Sequence, residues 1–121
     1  MHAELAERLF AALRDGDVES VAPLLSDDSV WELRGRSVLA GVHRGRRAIV
    51  RVLRRLAELR PIRPDAYDVM ASEYHATLTM RLVGDGLDSD HALVVVAADD
   101  GKLDRAFHYV FDLYAFDRYF A

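Results

Sequence analysis

Apolar residues recur at helical spacing in the first half of the chain. Leucine and phenylalanine at every third or fourth position predict an amphipathic helix over 3–15, with its charged residues on the other face. Gly16 suits the left-handed residue that ends such a helix, and Asp17 is a good N-cap for a second, short helix over 18–25. The same spacing predicts a third helix over 45–59, which the prolines that follow prevent from continuing.

In the second half, the hydrophobic period shortens to the two-residue alternation of β-strands. The alternation is clearest over 73–83, where apolar and polar side chains exchange at every step. The segment 35–44 is predicted to be a loop, and the tail 113–120 is predicted to form one or two helical turns. The predicted strands are 29–34, 67–71, 73–83, 88–98 and 102–112.

Two glycine-containing turns determine the predicted register of the last three strands. If Asp85-Gly86 and Asp100-Gly101 are the central residues of two-residue hairpin turns, the facing residues follow directly. The predicted pairs are Leu78 with Leu93, Met80 with His91, Leu93 with His108, and His91 with Val110.

This register makes both faces of the sheet largely apolar, so each face needs a cover. We expect an α+β fold, a cone-shaped barrel with three N-terminal helices packed in a strongly curved, mainly antiparallel sheet. On the outer face, Phe107, Tyr109 and Phe111 align into an apolar patch that is unusually large for a monomer, which predicts a homodimer. The alternative is that the segment 113–121 folds back over these aromatic rings.

Composition restricts the class of protein. A length of 121 residues corresponds to a single domain, 1–121, and the absence of cysteine excludes disulfides and thiolate nucleophiles. No apolar run reaches the roughly 20 residues of a membrane span, and the first residues do not resemble a signal peptide. We therefore expect a cytoplasmic protein with no membrane partner. No nucleotide-binding or phosphate-binding fingerprint is present, and no cofactor is expected.

The net charge of −4 conceals one basic segment. Residues 34–63 contain ten arginines and a single acid, Glu58, so this segment is +9 and the rest of the chain is −13. Such a segment can bind nucleic acid or another polyanion. However, 15 of the 16 basic residues are arginine, which indicates a coding bias. A solvated helix face paired with acidic neighbours is the simpler interpretation, and nucleic acid is not an expected partner.

Four short motifs follow one another along the chain. Residues 14–19 resemble a "DGD" corner between two helices, and residues 25–31 resemble a "DDxxxW" entry to a first strand. Residues 39–49 look like a "GxxxGRxAI" start of a third helix, and residues 112–120 are similar to a "DxYAFDxFF" ending. In this order the motifs resemble an uncharacterised SnoaL-like branch of the nuclear transport factor two-like superfamily, and they cover nearly the whole chain.

The resemblance implies the cone fold, and known catalysts of the superfamily include ketosteroid isomerases, polyketide cyclases and epoxide hydrolases. The general-base aspartate of the isomerases falls at Leu33, their oxyanion aspartate at Leu93 and their helix-one tyrosine at Leu9. A leucine can neither accept nor donate a proton, so isomerase chemistry by that set is not expected. The final-strand aspartate of the epoxide hydrolases falls near Tyr109. The resemblance therefore carries the fold without a mechanism.

His91 and His108 are the informative polar residues on the predicted inner face. They are diagonal neighbours on adjacent strands, and Asp112 is diagonal to His91. An imidazole near a carboxylate can act as a general base, so these three residues are the catalytic candidates; a hydrogen-bonded core role for the histidines is the alternative. Without a third close ligand, a metal site is not expected.

The register also predicts a pocket for a small apolar or aromatic ligand. Glu32 points away from this pocket unless a bulge turns it inward, and His43 lies in the predicted loop at the cone mouth, where it could gate entry. The predicted ligand-binding residues are Trp31, Leu33, Tyr74, Leu78, Met80, Leu93 and Val110.

Three functions stay open from the sequence. The first is a cofactor-free, SnoaL-like enzyme that uses acid–base chemistry of the isomerase, cyclase or hydrolase type. The second is a non-catalytic, dimeric ligand-binding or accessory module, and the third is a polyanion binder acting through the arginine-rich helix. A cavity of roughly 300 Å³ or more that touches both histidines would favour the enzyme, and a filled cone would favour the accessory module.

Overall fold

The order of helices and strands follows the predicted one in outline. The computed structural model describes residues 1–37, 39–59, 62–84, 86–112 and 116–118. Its elements are α1 (His2–Arg14), two single-turn 3-10 helices (Val18–Ser20 and Ala22–Leu24), β1 (Leu25–Leu33), β2 (Gly41–Arg44), α2 (Arg46–Leu59), β3 (Ile62–Ala71), β4 (Ala76–Gly84), β5 (Leu87–Ala97) and β6 (Leu103–Val110).

The second predicted helix is wrong in type, because residues 18–25 form two 3-10 turns instead of one α-helix. Asp17 is the N-cap as predicted, and its carboxylate accepts the backbone N–H of Ser20 at 3.3 Å. Pro23 has no N–H to continue a helical ladder, and Leu25 already has the extended backbone of β1. The described residues therefore contain two long helices, and two 3-10 turns replace the second of the three predicted helices.

Six strands form one mixed sheet in the order β2-β1-β6-β5-β4-β3. All neighbouring strands are antiparallel except β1 and β6, which are parallel, with Leu33 opposite His108. The prediction of a mainly antiparallel sheet is confirmed. Strand β2 lies inside the segment predicted to be a loop, and it pairs with β1 so that His43 faces Trp31.

The predicted register of β4, β5 and β6 is confirmed at all four pairs. The turn after β5 is nevertheless longer than predicted, since Ala98 donates to the carbonyl of Lys102 at 2.8 Å and Gly101 donates to the carbonyl of Ala98 at 2.9 Å. A shift between the pairs Val96–Arg105 and Ala97–Leu103 leaves Asp104 as an extra residue in β6. This bulge compensates for the extra turn residue and restores the register.

The two long helices cover the same face of the sheet, each over the half of the sheet next to one edge. Helix α1 packs on β3, β4 and β5, and α2 packs on β1 and β2. Leucine and aromatic side chains from both helices and the inner sheet face form the core, in which Leu9, Ile49 and Leu93 are fully buried. None of the helices in the described ranges combines the length and the apolar composition needed to cross a lipid bilayer.

Strand β4 begins at Ala76, three residues later than predicted, and this corrects the placement of Tyr74. Residues 72–75 form the turn between β3 and β4, in which Ser72 donates its N–H to the carbonyl of His75 at 2.9 Å and accepts the N–H of Tyr74 through its hydroxyl. A serine hydroxyl that captures a backbone N–H two residues on favours a turn over a strand. Tyr74 is therefore 75% exposed instead of facing the core.

Candidate functional site

A cavity of about 90 Å³ lies between the two long helices and the inner face of the sheet. Exposed Gly16 and Ala57 are at its border, so it reaches the surface between the end of α1 and the end of α2. The helices contribute apolar side chains to the lining, namely Leu13, Val52, Leu53 and Leu56, with Val18 from the first 3-10 turn. The sheet contributes Trp31, Leu33, His43, Met80, Leu82 and His108.

Three of these side chains carry the polar atoms of an otherwise apolar lining. Trp31 lies on β1 with 3% of its surface exposed, and its indole N–H is a hydrogen-bond donor. His43 lies opposite it on β2, and His108 lies on β6. The Nε2 of His43 is 2.8 Å from the carbonyl oxygen of Leu39. Because a carbonyl only accepts, His43 donates from Nε2, and its Nδ1 is left as an acceptor in the neutral ring.

His91 and His108 form a hydrogen-bonded pair directly behind this lining. The Nδ1 of His91 is 2.7 Å from the Nε2 of His108, and the ring centroids are 4.9 Å apart. Both side chains are buried, and His108 is the member of the pair that lines the cavity. The diagonal placement predicted from the two turns thus brings the rings into direct contact.

Burial keeps both imidazoles neutral. Burial, together with a smaller effect of the neighbouring His108, lowers the pKa of His91 to about 3. Burial also lowers the pKa of His108 to about 4. Removing an imidazolium from water disfavours the charged form, and no carboxylate of a described residue acts against this effect in either ring. At neutral pH the pair can form hydrogen bonds but carries no charge.

Phe116 closes the site on the side of His91. Its ring is fully buried and meets the His91 ring edge-to-face, with the centroids 5.1 Å apart. The next residue, Asp117, accepts the backbone N–H groups of Arg36 at 3.0 Å and Ser37 at 3.2 Å. Two hydrogen bonds between the chain end and the loop after β1 therefore hold Phe116 in place.

The structure brings part of the predicted pocket together. Trp31, Leu33, Met80 and His108 line the cavity. Leu78 and Leu93 are fully buried in the core, on the strands against which α1 packs, and Val110 is half-buried; none of the three is among the lining residues. Tyr74 is exposed in its turn, and His91 lies behind His108.

The carboxylates considered from the sequence lie outside the cavity. Asp112 follows the end of β6 with an exposed side chain, because the strand stops at Val110. Glu32 faces away from Trp31 and is paired with Phe107 across the parallel strands. Within the described ranges there is no group of three or more histidine, aspartate or glutamate side chains arranged to hold a metal ion.

Sequence reasoning missed the helix side of the cavity and the role of Phe116. Val52, Leu53 and Leu56 have the spacing of any buried helix face, and nothing local distinguishes a cavity wall from solid core. Phe116 and Asp117 belong to the "AFD" part of the C-terminal motif, which the sequence supports only as a family resemblance. That motif is the one sequence signal that points to these two residues.

Helices held against one face of a curved α+β sheet, with a cavity between them, define a cone-fold protein of the cystatin-like and nuclear transport factor two-like type. The model of the family described as "SnoaL-like domain" matches residues 6–113. The chain therefore belongs to the SnoaL-like domain family. No curated protein matches it in sequence.

Solved structures share the fold of this chain. Bal32a, from a soil-derived mobile gene cassette, is 26% identical with a TM-score of 0.91, covering 98% of this chain and 95% of its own. A protein of unknown function with a cystatin-like fold from Xanthomonas campestris is 21% identical with a TM-score of 0.87, covering 100% and 99%. A nuclear transport factor two-like protein from Burkholderia xenovorans LB400 is 20% identical with a TM-score of 0.81, covering 98% and 94%.

Proposed function

We propose that this protein binds a small, uncharged, mostly apolar molecule in the cavity between its helices and its sheet. The observation that carries the proposal is the lining itself, which is apolar except for Trp31, His43 and His108. A few polar groups in an apolar concavity are typical of small-molecule sites. No lysine, arginine, aspartate or glutamate is among the described lining residues, so a charged ligand would lose its hydration without a compensating partner.

The size of the cavity restricts the ligand further. Its volume of about 90 Å³ is below the roughly 300 Å³ at which sites for drug-sized molecules begin. Apolar cavities of about 150 Å³ take up a molecule as small as benzene. The proposed ligand is therefore no larger than a single six-membered ring, or presents at most one such ring to the cavity.

The histidine pair supports recognition more than catalysis. A general base works best when its pKa is near the working pH, whereas burial lowers the pKa of His108 to about 4 and that of His91 to about 3. The inherited isomerase positions are Leu9, Leu33 and Leu93, all of them buried. The cavity also falls short of the volume that would favour an enzyme. Cofactor-free acid–base chemistry through His91 and His108 is the second candidate.

Trp31 provides a direct test, because it is the single tryptophan of the chain and lines the cavity. We expect its fluorescence to change saturably when the protein is titrated with toluene, phenol or cyclohexanone, and to stay unchanged with benzoate. Val52→Phe fills the cavity and should abolish the response. Val42→Phe, at a half-exposed position on β2, is the matched control and should leave it intact. No response to any uncharged ring, or an equal response in Val52→Phe, would contradict the proposal.

We further propose that the protein is a homodimer through the outer face of the sheet. Phe111 is 69% exposed and Tyr109 is 41% exposed, while Phe107 beside them is half-buried. In the described part of the C-terminal segment, 116–118, Phe116 packs against His91. Large apolar side chains grouped on one face are typical of a subunit interface.

The arginine-rich helix gives weaker support to the polyanion alternative. Arg46 pairs with Asp27 at 2.9 Å, and Arg54 pairs with Glu19, as expected for a solvated face with acidic neighbours. Arg47, Arg51 and Arg55 are exposed on α2 and form no ion pair with a described residue. Polyanion binding through this row stays a prediction.

A further inference from the structure

The described residues do not fix the direction of the hydrogen bond between His91 and His108. When one ring nitrogen of a buried neutral histidine makes a hydrogen bond, the tautomer is usually determined by the hydrogen-bond partner of the other ring nitrogen. The Nε2 of His91 is buried and has no partner among the described residues. The Nδ1 of His108, on the ring that lines the cavity, has no hydrogen bond to them either. Neither end of the pair is held by a residue that the structure describes.

Two other histidines of the same chain show the usual arrangement. The Nε2 of His2 accepts the backbone N–H of Ala97 at 3.1 Å, so its own proton is on Nδ1 when the ring is neutral. His43 donates from Nε2 to the carbonyl of Leu39, so its proton is on Nε2. Backbone groups thus determine both of these tautomers, and the pair in the core differs from them.

Two neutral rings can share one hydrogen bond in two ways. In the first form, His91 donates from Nδ1, and His108 carries its own proton on Nδ1, so the ring that lines the cavity has an N–H without a protein acceptor among the described residues. In the second form, His108 donates from Nε2, its Nδ1 is a bare acceptor, and His91 carries its proton on Nε2. Passing from the first form to the second releases one proton at His108 Nδ1, moves the bridging proton, and takes up one proton at His91 Nε2. Neither form has a net charge.

We propose that the His91–His108 pair is a reversible hydrogen-bonding element whose direction is set by the bound ligand. A ligand carbonyl, which only accepts, selects the first form, in which His108 donates. A phenolic hydroxyl, which donates more strongly than it accepts, selects the second form, in which His108 accepts. This inference rests on the proposed binding function and specifies its ligand class: uncharged single-ring ketones and hydroxyl compounds, both of which the same site accepts. Charged analogues are excluded, because neither form compensates a charge.

The test uses the full chain labelled with 15N, since long-range proton–nitrogen spectra distinguish protonated from bare imidazole nitrogens. Without ligand, His2 and His43 should each show one tautomer, with protons on Nδ1 and Nε2 respectively, and serve as internal controls. His91 and His108 should give averaged signals. Saturating cyclohexanone, which only accepts, should shift the His108 Nδ1 signal to the protonated position. Saturating phenol should shift the same signal to the bare position.

Affinities provide a second readout. One net hydrogen bond is worth about 0.5–1.5 kcal/mol, or about a threefold to tenfold change in affinity. Cyclohexanone should therefore bind about three to ten times more tightly than methylcyclohexane, and phenol should show the same advantage over toluene. A site that only accepts would give this advantage to phenol alone, and a site that only donates would give it to both probes without a change of tautomer at His108.

The outcomes separate the inference from the function on which it rests. If both probes bind and His108 shows the same tautomer in both complexes, the inference is overturned and the binding function stands. A buried water that holds His91 Nε2 would give this result. If neither the polar nor the apolar probes bind, the proposed function fails and the ligand class fails with it. Opposite shifts of the His108 signal with the two polar probes would support both.

Discussion

At the scale of single residues, burial decides what the two core histidines can do. Each imidazole loses its hydration on folding, so its pKa falls well below the ordinary value of 6.5. The rings compensate in part by hydrogen bonding to each other, which needs one donor and one acceptor, so at least one of the two rings must be neutral. At neutral pH, burial therefore restricts both imidazoles to their neutral forms.

This restriction predicts a pH dependence of stability. The unfolded histidines take up protons below about pH 6.5, whereas the folded pair stays neutral until its own pKa values of about 4 and about 3 are reached. The stability contributed by the neutral pair is therefore complete above pH 6.5 and is lost as the pH falls towards 4. Each histidine adds a slope of about 1.4 kcal/mol per pH unit between about pH 6 and 5.

Urea unfolding of His108→Leu measures this contribution. The free energy of unfolding should depend less on pH in the variant, by about 1.4 kcal/mol per pH unit between about pH 6 and 5. His75→Gln removes an exposed histidine from the turn after β3 and should leave the slope unchanged. Equal slopes for the wild type and His108→Leu would show that the pair is already protonated in the folded protein.

At the scale of secondary-structure elements, local sequence signals predict much of the fold. Pairings between strands that are distant in sequence leave no such signal. The register of β4, β5 and β6 follows from turns a few residues long, which is why His91 and His108 were placed on one face. The parallel pairing of β1 with β6 joins residues more than 70 positions apart, and no local pattern encodes it. Strand β2 is four residues long and begins with glycine, so alternation has no room to appear.

The same distinction explains the candidate site. Side chains on the sheet were predicted because alternation separates the two faces, and Trp31, Leu33, Met80 and His108 do line the cavity. The cavity itself depends on how far two helices stand from the sheet, which is a property of packing. The alternation predicts that Tyr74 lies in a strand. Its placement is wrong because the turn that begins at Ser72 includes Tyr74.

The docking of the chain end is an element-scale feature that predicts a measurable loss. Asp117→Ala removes the acceptor for the N–H groups of Arg36 and Ser37, and should lower the free energy of unfolding by about 1–3 kcal/mol. Asp117→Asn keeps one carbonyl oxygen and should lose less. Asp28→Ala, at an exposed position on β1, is the control and should change stability by under about 0.5 kcal/mol in urea unfolding. If Asp117→Ala and Asp28→Ala are equally stable, the chain end is not held by this carboxylate.

At the scale of the whole molecule, the two faces of one sheet have different roles. The inner face surrounds the cavity and the neutral histidine pair, and the helices cover it. The outer face has its aromatic rings on β6 and just beyond it, and Arg34 lies over the Tyr109 ring at 5.9 Å from its centroid. Because strands alternate, an outer contact at Phe107 or Tyr109 would lie one residue from His108, so the proposed association and the proposed ligand binding would involve the same strand.

Association through this face can be tested with one charge. Light scattering at micromolar concentration should give the wild type a mass of twice 13.6 kDa. In Phe111→Asp the mass should fall towards 13.6 kDa, because a carboxylate buried without a partner costs about 3 kcal/mol or more and weakens association about a hundredfold. Tyr74→Asp places the same charge at an exposed aromatic position in the turn before β4, so this variant should stay dimeric. The Trp31 response to toluene should persist in both variants, which would show that the cone is intact. A wild type that scatters as a monomer, or a Phe111→Asp variant of unchanged mass, would exclude this face as the interface.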